Sequence, residues 1–250
     1  MKGMILAAGE GRRLRPLTDH VPKPMLPLAG RPLLEHIIVY LRDCGITELA
    51  INLYHRPAVV MDYFGDGSRW GVSLRYSVEE RLLGSAGGVK RLQDFFDDTF
   101  VVYYGDVYTR ADLVPMIELH RRCKVLATMG LYRVPDPWNR GIVELDGQVI
   151  SRFVEKPPRG HIFSDLANAG IYVLEPAVMD WIPDDRPWDF GQHVFPALLA
   201  DKVRVAGYVI EDPLIDIGLP EKYEQANQLA SHQIDSTNLP DLNTVLGVVS

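Results

Sequence analysis

Apolar and polar positions along the first half of the chain separate strands from helices. Residues 4–7, 49–53 and Phe100–Tyr104 form short, almost wholly apolar runs, which predict buried strands. Between such runs, apolar residues recur at helical spacing, as Leu33 and Ile37 do, which predicts helices with one buried face. This repeated β-α order predicts an α/β fold with a mostly parallel sheet and helices on both of its faces.

The pattern changes in the second half, where strands follow one another across short turns. The other predicted strands cover residues 72–78, 124–132, 141–145, Val149–Glu155 and 169–174, and the other predicted helices cover 59–64, 86–95, 113–121 and Pro220–Ser231. We expect one domain over residues 1–235, with halves at 1–135 and 136–235. Residues 236–250 show no clear period and are predicted to form a C-terminal tail.

Composition and charge argue against several classes of protein. The 250 residues are 47% hydrophobic and 24% charged, as expected of a globular protein with a full core. The formal net charge of −7 argues against binding along a nucleic-acid backbone, which requires an excess of Lys and Arg. Cys44 and Cys123 are too few for a disulfide framework or a zinc cluster. No apolar run reaches the roughly 18 residues of a membrane span, so we expect a cytoplasmic protein without membrane or nucleic-acid partners.

A glycine-rich loop surrounded by cations follows the first predicted strand. Gly9 and Gly11 permit close backbone approach, so that consecutive N–H groups can point at phosphate oxygens. Arg13 lies two residues further on, and Lys23 stands between two prolines that restrict its backbone. The loop lacks the third glycine of a dinucleotide-binding loop and the Gly-Lys-Ser/Thr of a P-loop. Taken alone, it is also compatible with an ordinary turn beside a basic surface.

This loop resembles the signature of the sugar-1-phosphate nucleotidylyltransferase family, which combines Gly-x-Gly-x-Arg-Leu with a Lys-Pro shortly afterwards. Four further segments are similar to motifs of that family and occur in the same order: Leu83-Gly84-Ser85-Ala86-Gly87, Tyr104-Gly105-Asp106, Glu155-Lys156-Pro157 and Asp216-Ile217-Gly218-Leu219-Pro220. The resemblance implies a Rossmann-like three-layer fold with inserted sugar-binding strands. Arg12 departs from the family, in which Thr or Ser is usual at that position.

The resemblance also implies a reaction and its site. A nucleoside triphosphate and a sugar-1-phosphate would condense to a nucleotide-sugar and pyrophosphate, with Mg²⁺ as cofactor. The sequence leaves open whether the enzyme forms a homo-oligomer. The residues carried over to the nucleotide are Leu6, Ala8, Gly9, Gly11, Arg13, Lys23, Glu79 and Gly84, and those carried over to the sugar phosphate are Gly141, Glu155, Lys156, Asn168 and Gly170. Asp106 and Asp216 are the expected metal ligands, and Arg13, Lys23 and Asp106 the expected catalytic residues.

Such a transfer depends more on positioning and charge neutralisation than on covalent chemistry by the protein. We expect Lys156 to hold the sugar phosphate, whose oxygen is the nucleophile. Arg13 and Lys23 would stabilise the charge that builds on the α-phosphate and the departing pyrophosphate. No Ser, Cys or His nucleophile is needed, and the seven His residues receive no role.

Glu79 bears on the identity of the base. Thymidylyl and uridylyl relatives tend to carry Gln at the comparable position, because an amide both donates and accepts. A carboxylate only accepts, which suits the adjacent N1–H and amine of guanine. This favours GTP and a mannose- or heptose-like sugar phosphate, as in the guanylyltransferase branch of the family, unless Glu80 is the inward residue. A uridylyl- or thymidylyltransferase acting on glucose-1-phosphate is the alternative.

Two other classes compete with this interpretation. A catalytically silent regulatory subunit that binds sugar nucleotides should have lost Lys23, Asp106 or Asp216, and all three are present. A glycosyltransferase with a related α/β core commonly carries Asp-x-Asp after a strand, which Gly105-Asp106-Val107 lacks.

Overall fold

The structure, a computed structural model, describes residues 1–184 and 186–231. The strands in chain order are β1 (Lys2–Leu6), β2 (Pro27–Leu28), β3 (Arg31–Pro32), β4 (Glu48–Leu53), β5 (Ser73–Val78), β6 (Phe100–Tyr104), β7 (Val107–Thr109), β8 (Ala127–Arg133), β9 (Gly141–Asp146), β10 (Val149–Glu155), β11 (Leu166–Leu174), β12 (Val205–Val209) and β13 (Leu214–Asp216). The α-helices are α1 (Leu17–His20), α2 (Leu33–Asp43), α3 (Pro57–Phe64), α4 (Gly84–Lys90), α5 (Val114–Cys123), α6 (Phe195–Ala200) and α7 (Pro220–Ser231). The predicted tail, 236–250, lies outside the described residues.

Nine strands form one sheet in the order β5-β4-β1-β6-β11-β8-β12-β10-β9. The first four are parallel, as the β-α order predicted. β11 pairs antiparallel with both β6 and β8, and β10 pairs antiparallel with β12 and β9. The prediction of a mostly parallel sheet was therefore wrong, and the sheet is mixed. The reason is that β11, from the second half of the chain, separates β6 from β8, and local hydrophobic patterns do not encode such a long-range insertion.

The sheet separates two apolar cores. Because alternate residues of a strand point to opposite faces, Ile5 packs in one core and its neighbour Met4 in the other. Residues of α2, α3, α5 and α7 contribute to the first core, and residues of α4 and α6 to the second. Helices therefore cover both faces of the sheet and complete three layers.

Strand direction decides which residues meet at one edge of this sheet. The parallel strands β1 and β6 end there at Leu6 and Tyr104, which are partners in register. β11 runs in the opposite direction, so its first residues reach the same edge. Gly170 in β11 lies against the ring of Tyr104. The reversal of β11 thus brings the second half of the chain to the carboxyl ends of the parallel strands, where α/β proteins bind ligands.

A separate two-stranded ribbon joins two distant carboxylates. β7 begins directly after Asp106 and pairs antiparallel with β13, which ends at Asp216. Val107 is the register partner of Asp216, and the N–H of Ile217 donates to the carbonyl of Asp106 at 2.7 Å. Backbone hydrogen bonds therefore hold Asp106 and Asp216 at neighbouring positions.

Most predicted elements are present, with ends shifted by a few residues. β10 and α7 have the predicted bounds. The helix predicted over residues 86–95 was too long, because α4 ends at Lys90 and a separate 3₁₀ turn follows at Gln93–Phe95. The prediction missed seven short elements, which are α1, β2, β3, β7, α6, β12 and β13. Across residues 1–184 and 186–231, no helix has the length and apolar character needed to cross a membrane.

Candidate functional site

Two adjoining cavities lie where β1 and β6 end. The first compartment, of about 380 Å³, is lined by the loop after β1, by Lys23 and by the start of α4. The second compartment, of about 490 Å³, lies among β9, the end of β10, the start of β11 and β13. Arg13, Ser85, Tyr104, Asp106 and Gly218 line both. The two compartments therefore form one cleft, and these shared residues mark their junction.

Gly11 shapes the loop after β1. Its φ of +66° lies in the left-handed region, and a Cβ atom there would lie 2.9 Å from Thr18 Cγ2 and 3.1 Å from Lys23 Cβ. The hydroxyl of Thr18 donates to the Gly11 carbonyl at 2.9 Å and fixes the turn. Gly9 differs, because a Cβ there would meet nothing within 4 Å. The loop is thus tightly packed behind Gly11 and open beside Gly9.

Lys23 and Asp106 form an ion pair at the junction. Lys23 Nζ lies 2.8 Å from Asp106 Oδ2, and the two side chains are 10% and 33% exposed. Burial alone would raise the pKa of Asp106, but the charge and hydrogen bond of Lys23, with the charge of Arg13, hold that pKa below its usual range. Asp106 is therefore ionised near neutral pH.

Arg13 is the exposed cation of the junction. It lines both compartments, yet it makes no ion pair or hydrogen bond with any described residue. A Cβ atom on Gly218 would lie 2.9 Å from Arg13 Nη2, so the absence of a side chain at Gly218 leaves room for the guanidinium. Arg12 instead pairs with Glu10 at 2.5 Å, and its side chain is 74% exposed. Arg13 is thus available to an anionic ligand.

Glu79 is buried and ties two loops together. The N–H of Ala7 donates to Asn52 Oδ1 at 2.9 Å, and Asn52 Nδ2 donates to Glu79 Oε1 at 2.8 Å. Glu79 Oε2 accepts from the N–H of Leu83 at 2.9 Å. Because a backbone N–H group donates at each end of this series of hydrogen bonds, the side chain at position 79 must accept at both of its terminal atoms. Glu79 therefore links the loop after β1 to the loop before α4, and each of its oxygens keeps a lone pair for a ligand.

The first turn of α4 is capped by the second half of the chain. The carbonyl of Trp188 accepts from the N–H groups of Ala86 and Gly87 at 2.8 and 3.0 Å. Asp189 Oδ1 accepts from the N–H of Ser85 at 3.0 Å. Gly84 has a φ of +73°, and a Cβ there would lie 2.6 Å from the Trp188 carbonyl oxygen. The close approach of these two segments therefore requires glycine at position 84.

Glu155 is a half-buried carboxylate in the second compartment. No described residue donates a hydrogen bond to it, and its nearest cation is Lys156, whose Nζ lies 4.0 Å from Oε1. Burial, with a smaller contribution from Asp189, raises the pKa of Glu155 despite the charge of Lys156. Gly141 gives it space, because a Cβ there would lie 2.5 Å from Oε2. Such an unsatisfied acceptor suits hydroxyl donors of a ligand.

Asn168 and Gly170 shape an irregularity in β11. Asn168 Oδ1 accepts from the N–H of Gly170 at 2.9 Å, and its Nδ2 donates to the hydroxyl of Tyr172 at 2.8 Å. Gly170 has a φ of +70°, and a Cβ there would lie 2.9 Å from the ring of Tyr104. Burial raises the pKa of Tyr104 to about 12, so its hydroxyl stays protonated at the junction. Asn168 thus uses both ends of its amide to hold the wall of the second compartment.

Lys156, Arg140 and Lys222 are further cations that line the second compartment, and the first two are joined through the backbone. The side chain of Lys156 is 57% exposed, and its backbone φ of +48° is in the left-handed region. Arg140 contacts the carboxylate of Asp216 through Nη1, and the two side chains are 29% and 23% exposed. The backbone joins Lys156 and Arg140, because the N–H of Lys156 donates to the carbonyl of Arg140 at 2.9 Å.

Asp106 and Asp216 suit a hard divalent cation. Both are carboxylates that line the second compartment, and the β7–β13 ribbon holds them together. Within the described part of the chain, no three or more His, Cys, Asp or Glu side chains cluster as a metal site. Mg²⁺ commonly takes one or two carboxylates and completes its octahedron with water and substrate phosphates. The pair therefore fits a divalent cation that takes its other ligands from water and a phosphate group.

Comparison with known proteins agrees with this geometry. The sequence profile of the nucleotidyl transferase family matches residues 2–233. The chain belongs to the nucleotidyl transferase family. The family predicted from the motifs is thereby confirmed.

Named relatives in this family differ in base and sugar. A mannose-1-phosphate guanylyltransferase of Mycobacterium tuberculosis is 40% identical over 226 residues, which cover 88% of this chain and 62% of that protein. A UTP–glucose-1-phosphate uridylyltransferase of Synechocystis is 36% identical over 265 residues, covering 99% of this chain and 68% of that protein. The chain thus spans about two thirds of the length of these relatives.

A solved structure supports the α/β fold. The crystal structure of a putative glucose-1-phosphate thymidylyltransferase from Bacillus anthracis matches with a TM-score of 0.84 at 28% identity. The match covers 96% of this chain and 98% of that one.

The cleft of this nucleotidyl transferase family member gathers the residues that the motifs predicted. Leu6, Ala8, Gly9, Gly11, Arg13, Lys23, Glu79 and Gly84 line the first compartment, and Gly141, Glu155, Lys156, Asn168, Gly170 and Asp216 line the second. Asp106 lines both. Sequence reasoning missed Asn52, Ser85, Tyr104 and Arg140 as site residues. Tyr104 and Ser85 lie inside motifs that the sequence analysis quoted, whereas Asn52 and Arg140 carry no signal that separates them from ordinary polar residues.

We predict that Glu79→Gln destabilises the protein. The glutamine amide would turn one N–H group towards Asn52 Nδ2 or the N–H of Leu83, leaving a buried donor without an acceptor. The expected cost is about 1–3 kcal/mol, which corresponds to a fall in Tm of several degrees. Calorimetry of the thermal unfolding checks this. Exposed Glu80→Gln is the control, and an unchanged Tm for Glu79→Gln would contradict the hydrogen-bond network.

Glu155→Gln should have the opposite effect on stability. Because the pKa of Glu155 is raised on folding, its deprotonation favours the unfolded chain, and stability falls as the pH rises from the unfolded pKa through the folded one. We expect Glu155→Gln to raise Tm at pH 7.5 and to change it less at pH 4, where the wild-type carboxyl is largely protonated. Exposed Glu144→Gln, on the neighbouring strand β9, is the control. A lower Tm at pH 7.5 would show that Glu155 stabilises the fold.

Proposed function

We propose that this protein transfers a nucleotidyl group from a nucleoside triphosphate to a sugar-1-phosphate and releases pyrophosphate. The observation that supports this most strongly is the cleft with two compartments, at whose junction Arg13, Lys23 and Asp106 gather. A transfer between two phosphate-bearing substrates needs two adjoining sites with positive charge between them. The curated relatives carry names of this class, with mannose-1-phosphate or glucose-1-phosphate as the sugar phosphate.

The junction residues would act on charge and position. A phosphate oxygen of the sugar-1-phosphate attacks the α-phosphorus, and the bond from that phosphorus to the β-phosphate bridging oxygen breaks as pyrophosphate leaves. Arg13, which forms no ion pair or hydrogen bond with a described residue, would bind the triphosphate and neutralise charge on its α-phosphate. Lys23 is held by Asp106, so its ammonium is positioned before the substrate arrives.

The carboxylates supply a place for Mg²⁺. Asp106 and Asp216 would hold it, and it would contribute Lewis-acid stabilisation and screening between the two phosphate groups. The structure supports this through the ribbon that keeps both carboxylates at one point of the cleft.

The second compartment would bind the sugar phosphate. Glu155, which lacks a donor, would accept hydrogen bonds from sugar hydroxyls, and exposed Lys156 would bind the phosphate. Gly141 and Gly170 leave space beside Glu155 and Tyr104. Asn168 would act mainly by positioning this wall, because its amide is already engaged with Gly170 and Tyr172.

We propose GTP as the triphosphate and a mannose- or heptose-like sugar phosphate as its partner. We also propose that residues 1–235 form a single domain. Buried Glu79 lines the first compartment and accepts one hydrogen bond at each oxygen, which leaves acceptor capacity for two donors of guanine. The guanylyltransferase relative at 40% identity supports this choice. Uridylyl or thymidylyl transfer to glucose-1-phosphate is the second candidate, favoured by the uridylyltransferase relative at 36% identity.

Release of pyrophosphate tests the proposed reaction and its two carboxylates. Purified protein with Mg²⁺, five nucleoside triphosphates and a panel of sugar-1-phosphates should release pyrophosphate in at least one combination. We expect Asp106→Asn and Asp216→Asn to lower kcat/KM by at least about 100-fold, because each removes an anionic oxygen ligand. Unfolding curves confirm that both variants fold. Turnover near that of the wild type in either variant would contradict its assignment.

The base preference is tested separately with Glu79→Gln. If Glu79 accepts from guanine, the variant should lower kcat/KM for GTP relative to UTP or dTTP by roughly 5- to 150-fold, the equivalent of about 1–3 kcal/mol. The ratio is decisive, because a loosened loop would lower the rate with every triphosphate alike. A wild-type preference for UTP or dTTP, or an unchanged ratio in the variant, would overturn the guanosine assignment and leave the transferase class standing.

A further inference from the structure

Arg140 forms an ion pair with Asp216, one of the two carboxylates of the proposed metal site. Its guanidinium contacts Asp216, whose side chain is 23% exposed within the second compartment. A cation and a metal ion compete for the lone pairs of one carboxylate, since each takes its stabilisation from the same negative charge. Arg140 is therefore bound to the ligand that Mg²⁺ would use.

The backbone places Arg140 beside a second cation. Arg140 directly precedes β9, and Lys156 directly follows β10, where Gly141 and Glu155 are register partners. The Arg140 carbonyl accepts from the N–H of Lys156 at 2.9 Å, so the two side chains start from paired positions on adjoining strands. Both side chains line the second compartment.

The two cations match the charge of a phosphate monoester. A sugar-1-phosphate carries nearly two negative charges at neutral pH, whereas Lys156 supplies one positive charge as a compact ammonium. The planar guanidinium of Arg140 adds a second charge and paired donors that fit two phosphate oxygens. Because Arg140 and Lys156 line the same compartment, a phosphate bound there would have both cations beside it.

We propose that Arg140 binds the phosphate of the sugar-1-phosphate, and that Asp216 holds it in the substrate-free cleft until a divalent cation takes its place on Asp216. This rests on the proposed function, because it assumes that the second compartment accepts a sugar-1-phosphate. Arg140 has two successive partners. Asp216 is its partner in the empty cleft, and the substrate phosphate is its partner once the metal has bound.

Binding of Mn²⁺ to the substrate-free protein tests the first partner. Arg140→Gln removes the competing charge, so electron paramagnetic resonance of free Mn²⁺ should show an affinity about 3- to 10-fold higher than in the wild type. Arg133→Gln is the matched control, because Arg133 forms an ion pair with Asp165 at 2.8 Å and both side chains are more than half exposed. The control should bind Mn²⁺ as the wild type does.

Binding of sugar-1-phosphates tests the second partner. Calorimetric titration with mannose-1-phosphate and glucose-1-phosphate in the presence of Mg²⁺ should show an affinity roughly 10-fold lower for Arg140→Gln and unchanged for Arg133→Gln. Arg140→Lys keeps the charge without the planar fork and should give intermediate values in both experiments. If Arg140→Gln fails to fold, Arg140→Lys replaces it in both binding experiments.

The possible results separate this inference from the proposed function. Mn²⁺ affinity in Arg140→Gln equal to or below that of the wild type would overturn the competition at Asp216. Wild-type sugar-1-phosphate affinity in that variant would overturn the phosphate contact. In either case, pyrophosphate release by the wild type would leave the proposed function intact. Wild-type protein that neither binds a sugar-1-phosphate nor releases pyrophosphate would overturn both.

Discussion

The backbone pairing of β7 with β13 is the constraint on which the cleft depends. Asp106 stands between the end of β6 and the start of β7, and Asp216 is the last residue of β13. The hydrogen bond from the Ile217 N–H to the Asp106 carbonyl closes this arrangement at 2.7 Å. Two anionic groups held together repel each other, so the arrangement requires cations nearby. Lys23 meets that requirement for Asp106, and Arg140 meets it for Asp216.

These ion pairs explain how an acidic protein keeps a cleft for anionic substrates. The formal net charge of −7 is spread over the whole chain, but the cations at the cleft are placed individually. Lys23 and Arg140 are engaged with carboxylates at close range, whereas the side chains of Arg13 and Lys156 are exposed. Substrate phosphates would therefore meet Arg13 and Lys156 first. Lys23 is pre-positioned by Asp106, which limits the reorganisation needed when charge develops during transfer.

The sequence indicated the parallel strands and the motif residues because both are locally encoded. Gly11 is an example, because the loop after β1 requires a left-handed φ there and leaves no room for a Cβ beside Lys23. β11 shows the opposite case, because an apolar strand gives no local indication of its neighbours, and only the fold inserts it between β6 and β8. Asn52 and Arg140 were missed for the same reason. Their partners, Glu79 and Asp216, are distant in sequence and are brought to them by tertiary structure.

The two compartments are also mechanically joined at α4. Orphan N–H groups at a helix start commonly bind phosphate, but here the Trp188 carbonyl and the Asp189 carboxylate already accept from the N–H groups of Ser85, Ala86 and Gly87. Phosphate binding in the first compartment would therefore fall mainly to the loop after β1 and to Arg13. Trp188 and Asp189 belong to the segment that leads into the wall behind Glu155, where Gly191 lies close enough that a Cβ would be 2.6 Å from Glu155 Oε2. A shift of Glu155 on sugar binding would thus press on Gly191, and the same segment holds the start of α4. This segment therefore connects the wall of the second compartment, beside Glu155, to the start of α4, which lines the first.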